Sequence, residues 1–194
     1  STTLELPYEL KKQKNIVEKE AIAREAVQLI ENGDTLILDS GSTTYALARL
    51  LAEKQHLTVV TNDLQIAVLL ANNAAIHLLC TGGVARPHVF TLQGAEVVDS
   101  IKRLRVDKTF LGADAIHEDG SIGNVNMEEA AIKRAMINAA SKVILLADSS
   151  KFSMKGFVEI GNLAEVNILI TDAGCPESMK AMLQKFPTKL ILAQ

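Results

Sequence analysis

The stretch LILDSGSTT, Leu36 to Thr44, decides how this chain is read. Leu36 to Leu38 suit a buried strand. Asp39 follows, then a glycine between two serines, then two threonines, and a helical pattern starts at once. The N–H groups at the start of that helix would point outward, and the helix dipole favours an anion there. Gly41 would let a ligand approach the backbone, while Ser40, Ser42, Thr43 and Thr44 add hydroxyl donors. Asp39 to Thr44 are therefore a candidate phosphate cradle. The same residues would also serve as a serine N-cap on a tight turn that holds nothing. Neither G-x-x-x-x-G-K nor G-x-G-x-x-G is present.

Working outward, short Leu/Ile/Val-rich runs recur at Thr35–Asp39, Leu57–Thr61, Ile76–Cys80, Lys108–Leu111, Val143–Ala147, Ile168–Thr171 and Leu190–Ala193. Doubly buried parallel strands read this way. Helical patterns fall between most of them, over Ile16–Asn32, Thr43–Lys54, Asp63–Asn72, Leu92–Leu104, Met127–Ser141 and Glu177–Phe186. Alternating strands and helices predict an α/β fold with an open, mostly parallel, Rossmann-like sheet and helices on both faces. Residues 1–15 show no clean period and read as a linker or arm. Residues 16–194 read as one domain. The less regular stretches are Gly82–Phe90, Ala115–Val125 and Ser150–Glu165, and Arg86 to Phe90 are expected to close over a pocket.

In open parallel sheets ligands bind beyond the carboxyl ends of strands. There the sequence places Thr61-Asn62-Asp63, Thr81-Gly82-Gly83, Leu111-Gly112-Ala113-Asp114 and Asp148-Ser149-Ser150-Lys151. Each has a plain alternative as a helix cap, a flexible turn or a surface lysine. Glu129 matches a capping box with Asn126, and Lys133 stands four residues on, placed for a helical ion pair with it.

Bulk properties narrow the function. The 194 residues are 48% apolar and 22% charged, with a net charge of −3 and a pI near 5.8. This acidic balance argues against the chain gripping nucleic acid by itself. Cys80 and Cys175 form no metal motif, and Cys80 is expected to be a buried thiol. His56, His77, His88 and His117 lack metal spacing, and His77 is expected to be packed. No G-x-S-x-G or Cys–His motif appears. Apolar runs are too short to span a bilayer. A cytoplasmic protein without metal or cofactor is expected.

The ordered set DSGSTT, TND, TGG, FLGAD, EAAIKRAMI and LLADSSKF resembles the effector-sensing domain of DeoR-type regulators of sugar operons, over about Ile16 to Ala173. The resemblance implies a sensing and oligomerisation domain of a bacterial transcriptional regulator of carbohydrate metabolism, expected to be a repressor. It implies a phosphorylated sugar as effector and a homo-oligomer. It also implies operator DNA contacts through an N-terminal winged helix-turn-helix domain, with residues 1–15 as the tail of the linker to it. Phosphate would sit on Asp39 to Thr44, and Thr61, Asn62, Gly82, Gly83, Asp114, Glu129 and Lys151 would line the sugar pocket.

The fold so implied is similar to that of ribose-5-phosphate isomerase and CoA transferase. The isomerase pattern has D-G-A-D where this chain has Leu111-Gly112-Ala113-Asp114, and a lysine loop where it has Ser121 to Asn126. With no catalytic residues assigned, the expectation is a sensor and not an enzyme. An isomerase-like enzyme is the alternative.

Overall fold

The computed structural model describes residues 7–194. Seven strands form one sheet because their apolar side chains find helices on both faces. They are β1 (Thr35–Leu38), β2 (Leu57–Thr61), β3 (Ile76–Cys80), β6 (Val106–Gly112), β9 (Ala140–Leu146), β11 (Ile168–Asp172) and β12 (Lys189–Ala193). Their order is β12-β11-β9-β6-β1-β2-β3, and every neighbouring pair is parallel. All seven expected strands are present, within a few residues at their ends.

Helices α2 (Ile16–Gln28), α3 (Ser42–Arg49) and α4 (Leu64–Ala71) cover one face, where Ile22, Leu47 and Ile66 pack on Leu36, Leu38 and Phe110. Helices α5 (Ala95–Lys102), α6 (Met127–Ala139) and α7 (Glu177–Leu183) cover the other, where Val97, Met136 and Met179 join Ile37, Leu111 and Leu169. Each strand alternates its side chains between two apolar layers, which is why the strands read as continuous apolar runs. Among the described residues no helix is long and apolar enough to cross a membrane.

Some elements depart from the sequence reading. Tyr8–Gln13 form a short helix, α1, whose Tyr8 is buried against Phe90 and Tyr45. Residues 1–6 of the expected linker lie outside the described residues. The helix expected from Leu92 starts only at Ala95. Leu92–Gln93 (β5) instead pair antiparallel with Val84–Ala85 (β4). Ala115–Ile116 (β7), Ser121–Asn124 (β8) and Val158–Asn162 (β10) form a small antiparallel sheet in stretches that read as loops. At its crossing Gly123 and Gly156 touch so closely that a Cβ on either would meet the other's backbone. Cys80 and His77 are exposed, against expectation, because β3 is an edge strand. Both cysteines are free.

Candidate functional site

The chain lays β1, β2 and β3 outward in one direction, then crosses back to put β6 on the other side of β1. At such a reversal the connections leave toward opposite faces and open a crevice beyond the carboxyl ends of the strands. A cavity of about 530 Å³ lies there. It is lined by Ser40 to Thr44 after β1, Gly112 to Asp114 after β6, and Ala147, Asp148, Ser150 and Lys151 after β9. Asn124, Glu129 and Lys133 complete one wall, and Lys11, Lys14, Asn15 and Lys19 another. The size suits a small metabolite.

The turn after β1 is not a serine-capped helix start. Gly41 is the N-cap of α3, at φ 152°, and no side chain caps the helix. The Ser40 hydroxyl is turned away, 2.9 Å from Asp63 Oδ2 and 2.6 Å from Thr91 Oγ1. Asp63 also accepts from the Gly41 N–H at 3.2 Å, and it caps α4 through the N–H groups of Gln65 and Ile66. Burial raises the Asp63 carboxyl above its ordinary range, and these donors oppose the shift. Asp63 thus braces the turn from behind. The first-turn N–H groups of α3 are left facing the cavity, a ready anion site.

Asp39 belongs to this frame rather than to the cradle surface. Its carboxylate accepts from the Gly112 N–H at 2.9 Å and pairs with the buried Lys133 ammonium, so it holds the ends of β1 and β6 and helix α6 together. Lys133 also donates to the Gly112 carbonyl at 3.0 Å. Burial alone would lower the Lys133 ammonium, but the charges of Asp39, Glu129 and Asp114 outweigh it and hold it raised. The helical Glu129–Lys133 pair suggested by spacing is not formed. Glu129 instead pairs with Arg86 at 2.6 Å and accepts from Asn124 at 3.2 Å. Only half of the capping box exists, with the Asn126 side chain accepting from the Glu129 N–H.

The wall opposite comes from the N-terminal segment. Asn15 adopts φ 52°, which turns the chain sharply between α1 and α2. Its side chain donates to Asp148 at 2.9 Å and to Ser150 at 3.3 Å. The buried Lys19 ammonium donates to the carbonyls of Lys11 and Lys14, at the end of α1. Burial pushes Lys19 down to about 8, with Lys151 and Lys11 adding to the shift and Asp148 opposing it. Among the described residues, six lysines (11, 14, 19, 133, 151 and 155) line the cavity against three carboxylates, Asp114, Glu129 and Asp148. In a chain of net charge −3 this is a concentrated basic site.

Of the expected residues, Ser40 to Thr44, Asp114, Glu129 and Lys151 line this cavity. Thr61, Asn62, Gly82 and Gly83 do not. Thr61 and Asn62 are buried, and Asn62 donates to the Leu92 carbonyl at 3.1 Å. Gly83 lies against the β4–β5 ribbon, where a Cβ would sit 2.5 Å from Val97 Cγ2. Nor does the 86–90 segment line the cavity. The His88 carbonyl accepts from the Tyr8 N–H at 2.9 Å, and Arg86 meets the site by pairing with Glu129. The sequence reading offers Lys133 only as a helical partner for Glu129 and gives the N-terminal lysines no role. The signal for Lys133 was a lysine on the apolar face of α6. A six-residue α1 offers too little period to be seen.

A family model described as the DeoR C terminal sensor domain matches residues 14–173. The glycerol-3-phosphate regulon repressor of Haemophilus influenzae is 36% identical over 185 residues, covering 95% of this chain and 72% of that protein. The HTH-type transcriptional repressor CsqR of Escherichia coli is 30% identical over 194 residues, covering 100% and 74%. The HTH-type regulator YulB of Bacillus subtilis is 36% identical over 172 residues, covering 88% and 66%. The chain thus spans between 66% and 74% of the length of these relatives. Among solved structures, ribose 5-phosphate isomerase A of Methanocaldococcus jannaschii aligns at TM-score 0.54 with 21% identity, covering 72% of this chain and 55% of that one. The Pyrococcus horikoshii translation initiation factor eIF-2B aligns at 0.52 with 19% identity, covering 78% and 61%. At such identities the likeness is one of fold alone.

Proposed function

The chain belongs to the family of DeoR C-terminal sensor domains, and from that premise we propose that its cavity binds a phosphorylated sugar as the effector of a transcriptional repressor of carbohydrate metabolism. The phosphate sits on the first turn of α3, between Gly41 and Thr44, and the sugar extends toward Asp114, Glu129 and Lys151. Residues 16–194 form the body of the effector-binding unit, and Lys11, Lys14 and Asn15 add to one wall of its cavity. Residues 1–15 lead toward operator-binding machinery of the helix-turn-helix type, and the regulator works as a homo-oligomer. One observation carries this reading: an uncapped helix N-terminus opens into a lysine-lined cavity of an otherwise acidic chain. Asp39 and Asp63 stand behind the turn as its frame and do not touch the ligand.

Switching needs a ligand that binds two states of the regulator differently. A coupling of ~1–3 kcal/mol changes operator affinity about 5- to 150-fold. The isomerase-like alternative has less support. Both oxygens of Glu129 are committed to Arg86 and Asn124, and the 121–126 segment has no lysine to stabilise an enediolate.

The test is thermal unfolding against sugar phosphates, their unphosphorylated parents, glycerol 3-phosphate and inorganic phosphate. A ligand at a hundredfold excess over its Kd adds about 2.7 kcal/mol of stability. The expected result is a rise in Tm with a phosphorylated sugar that its parent does not produce. Ser42→Glu is expected to abolish the rise through crowding and like-charge repulsion. Normal ligand binding by that variant would refute the cradle.

A further inference from the structure

The α3 turn accounts for one anion, yet the far end of the cavity carries positive charge of its own. Lys14 and Lys151 have no carboxylate at ion-pair distance among the described residues. Lys19 is 7% exposed and is held by two backbone carbonyls rather than by an acid. Lys14 and Lys19 flank the turn between α1 and α2, and Asn15 in that turn ties it through Asp148 and Ser150 to the turn that carries Lys151. The arrangement is therefore built, not a chance meeting of surface side chains. Burial lowers the Lys19 ammonium, with Lys151 and Lys11 adding to the shift and Asp148 opposing it, and a further counter-charge beside it would be stabilising.

Strand order sets the spacing. The α3 turn follows β1 and Lys151 follows β9, with β6 between them. Two steps across a sheet put the two strand ends about 10 Å apart. That is the scale of an extended sugar chain with a charged group at each end. Lys133, near the middle, is already neutralised by Asp39, so it does not merge the two charges into one site.

Resting on the function proposed above, we infer that the cavity holds a second anion subsite, formed by Lys14, Lys19 and Lys151. Its ligand is a phosphorylated sugar derivative with a second anionic group, phosphate or carboxylate, at its other end. The α3 turn takes one group and the lysine subsite the other. The second group also ties the N-terminal segment to the sheet, because Lys14 and Lys19 belong to that segment.

Inorganic phosphate tests this without knowledge of the sugar. Stability of the chain is measured at pH 7.5 as phosphate replaces chloride at constant ionic strength. At saturating phosphate the slope of stability against ln[phosphate] gives the number of ions bound. A slope of two ions is expected, falling to one in Ser42→Glu and to one in the double variant Lys14→Gln/Lys151→Gln. Lys14 and Lys151 hold no element in place, so the double variant is expected to fold normally.

A slope of one, abolished by Ser42→Glu and untouched by the lysine variant, overturns the second subsite and leaves the cradle intact. A slope of one abolished by the lysine variant alone overturns the cradle, and the two-site inference with it. No gain over chloride overturns both. Fructose 1,6-bisphosphate and 6-phosphogluconate, each against fructose 6-phosphate, then separate phosphate from carboxylate as the second group. At least one should bind ten times more tightly than the monophosphate, and the lysine variant should erase that advantage. If neither does, the assigned ligand class is wrong.

Discussion

The turn after β1 and the turns after β2 and β3 are built from the same small polar residues, yet of the three only the first lines the cavity. Beyond β2, the Leu92 N–H donates to the Asn62 carbonyl at 2.7 Å and the Leu64 N–H to Phe90 at 3.0 Å. Asp63 bridges to Thr91. Beyond β3, Gly82 and Gly83 are exposed, and the Gly83 backbone runs close beside Gln93 of the β4–β5 ribbon. The polar groups beyond β2 are consumed by a local ribbon, and those beyond β3 face solvent away from the cavity. Beyond β1 no ribbon closes the end, because the next strand in the sheet on that side is β6, and the chain reaches it only after crossing the sheet. One set of residues became packing and the other a cavity wall. Asp63 serves both, capping α4 on the closed side and bracing Ser40 and Gly41 on the open one.

The largest expected effect tests the frame of the open side. Asp39→Ala leaves the Lys133 ammonium buried without its counter-charge, and stability measured by urea unfolding is expected to fall by about 3–5 kcal/mol. Asp39→Leu combined with Lys133→Met should recover most of that loss. A small effect of Asp39→Ala would mean that the pair does not hold β1, β6 and α6 together.

Next in size, Gly83→Ala probes the closed side. Gly83 sits at φ +110°, and an added Cβ would meet Val97 at 2.5 Å and the Gln93 carbonyl at 2.8 Å. A loss of about 2 kcal/mol is expected from backbone strain and overpacking. Its stabilisation by phosphate should match that of the unsubstituted chain. If phosphate binding collapsed as it should in Ser42→Glu, the two regions would be one site after all.

The smallest effect is on pH dependence. Lys19 is lowered to about 8 by burial, Lys151 and Lys11, against Asp148 and Glu18. Its folded value lies below its unfolded one, so the folded chain binds fewer protons between them, and Lys19 contributes stability that grows as pH rises through that window. An anion favours the charged form. Above pH 8 the free chain must take up a proton to bind it, and affinity is expected to fall by up to about tenfold per pH unit. Calorimetric titration in buffers of different ionisation enthalpy reads that uptake directly. A Lys19→Met variant should flatten the profile.

Much of this was legible before folding. The seven sheet strands showed themselves because burial on both faces writes an unbroken apolar run into the sequence. The DSGSTT turn showed itself because a strand, a glycine and a helix pattern adjoin. The β7–β8–β10 sheet did not, since its strands are short and interrupted by Gly123 and Gly161, so no period forms. Lys133 was read through its nearest helical neighbour, Glu129. Its true partner, Asp39, lies 94 residues away.

The sequence by itself determined the seven strands of the main sheet, most of the helices and the turn after β1 as a candidate anion cradle, because burial and helix starts act over a few residues. Only the tertiary structure decided which of those turns share a cavity. Strand order is fixed by how all the faces bury one another, and that order placed β6 and then β9 on one side of β1 and sent β2 and β3 the other way. It also brought Lys14, from a segment with no readable pattern, and Lys19, from the start of α2, to the wall of the site.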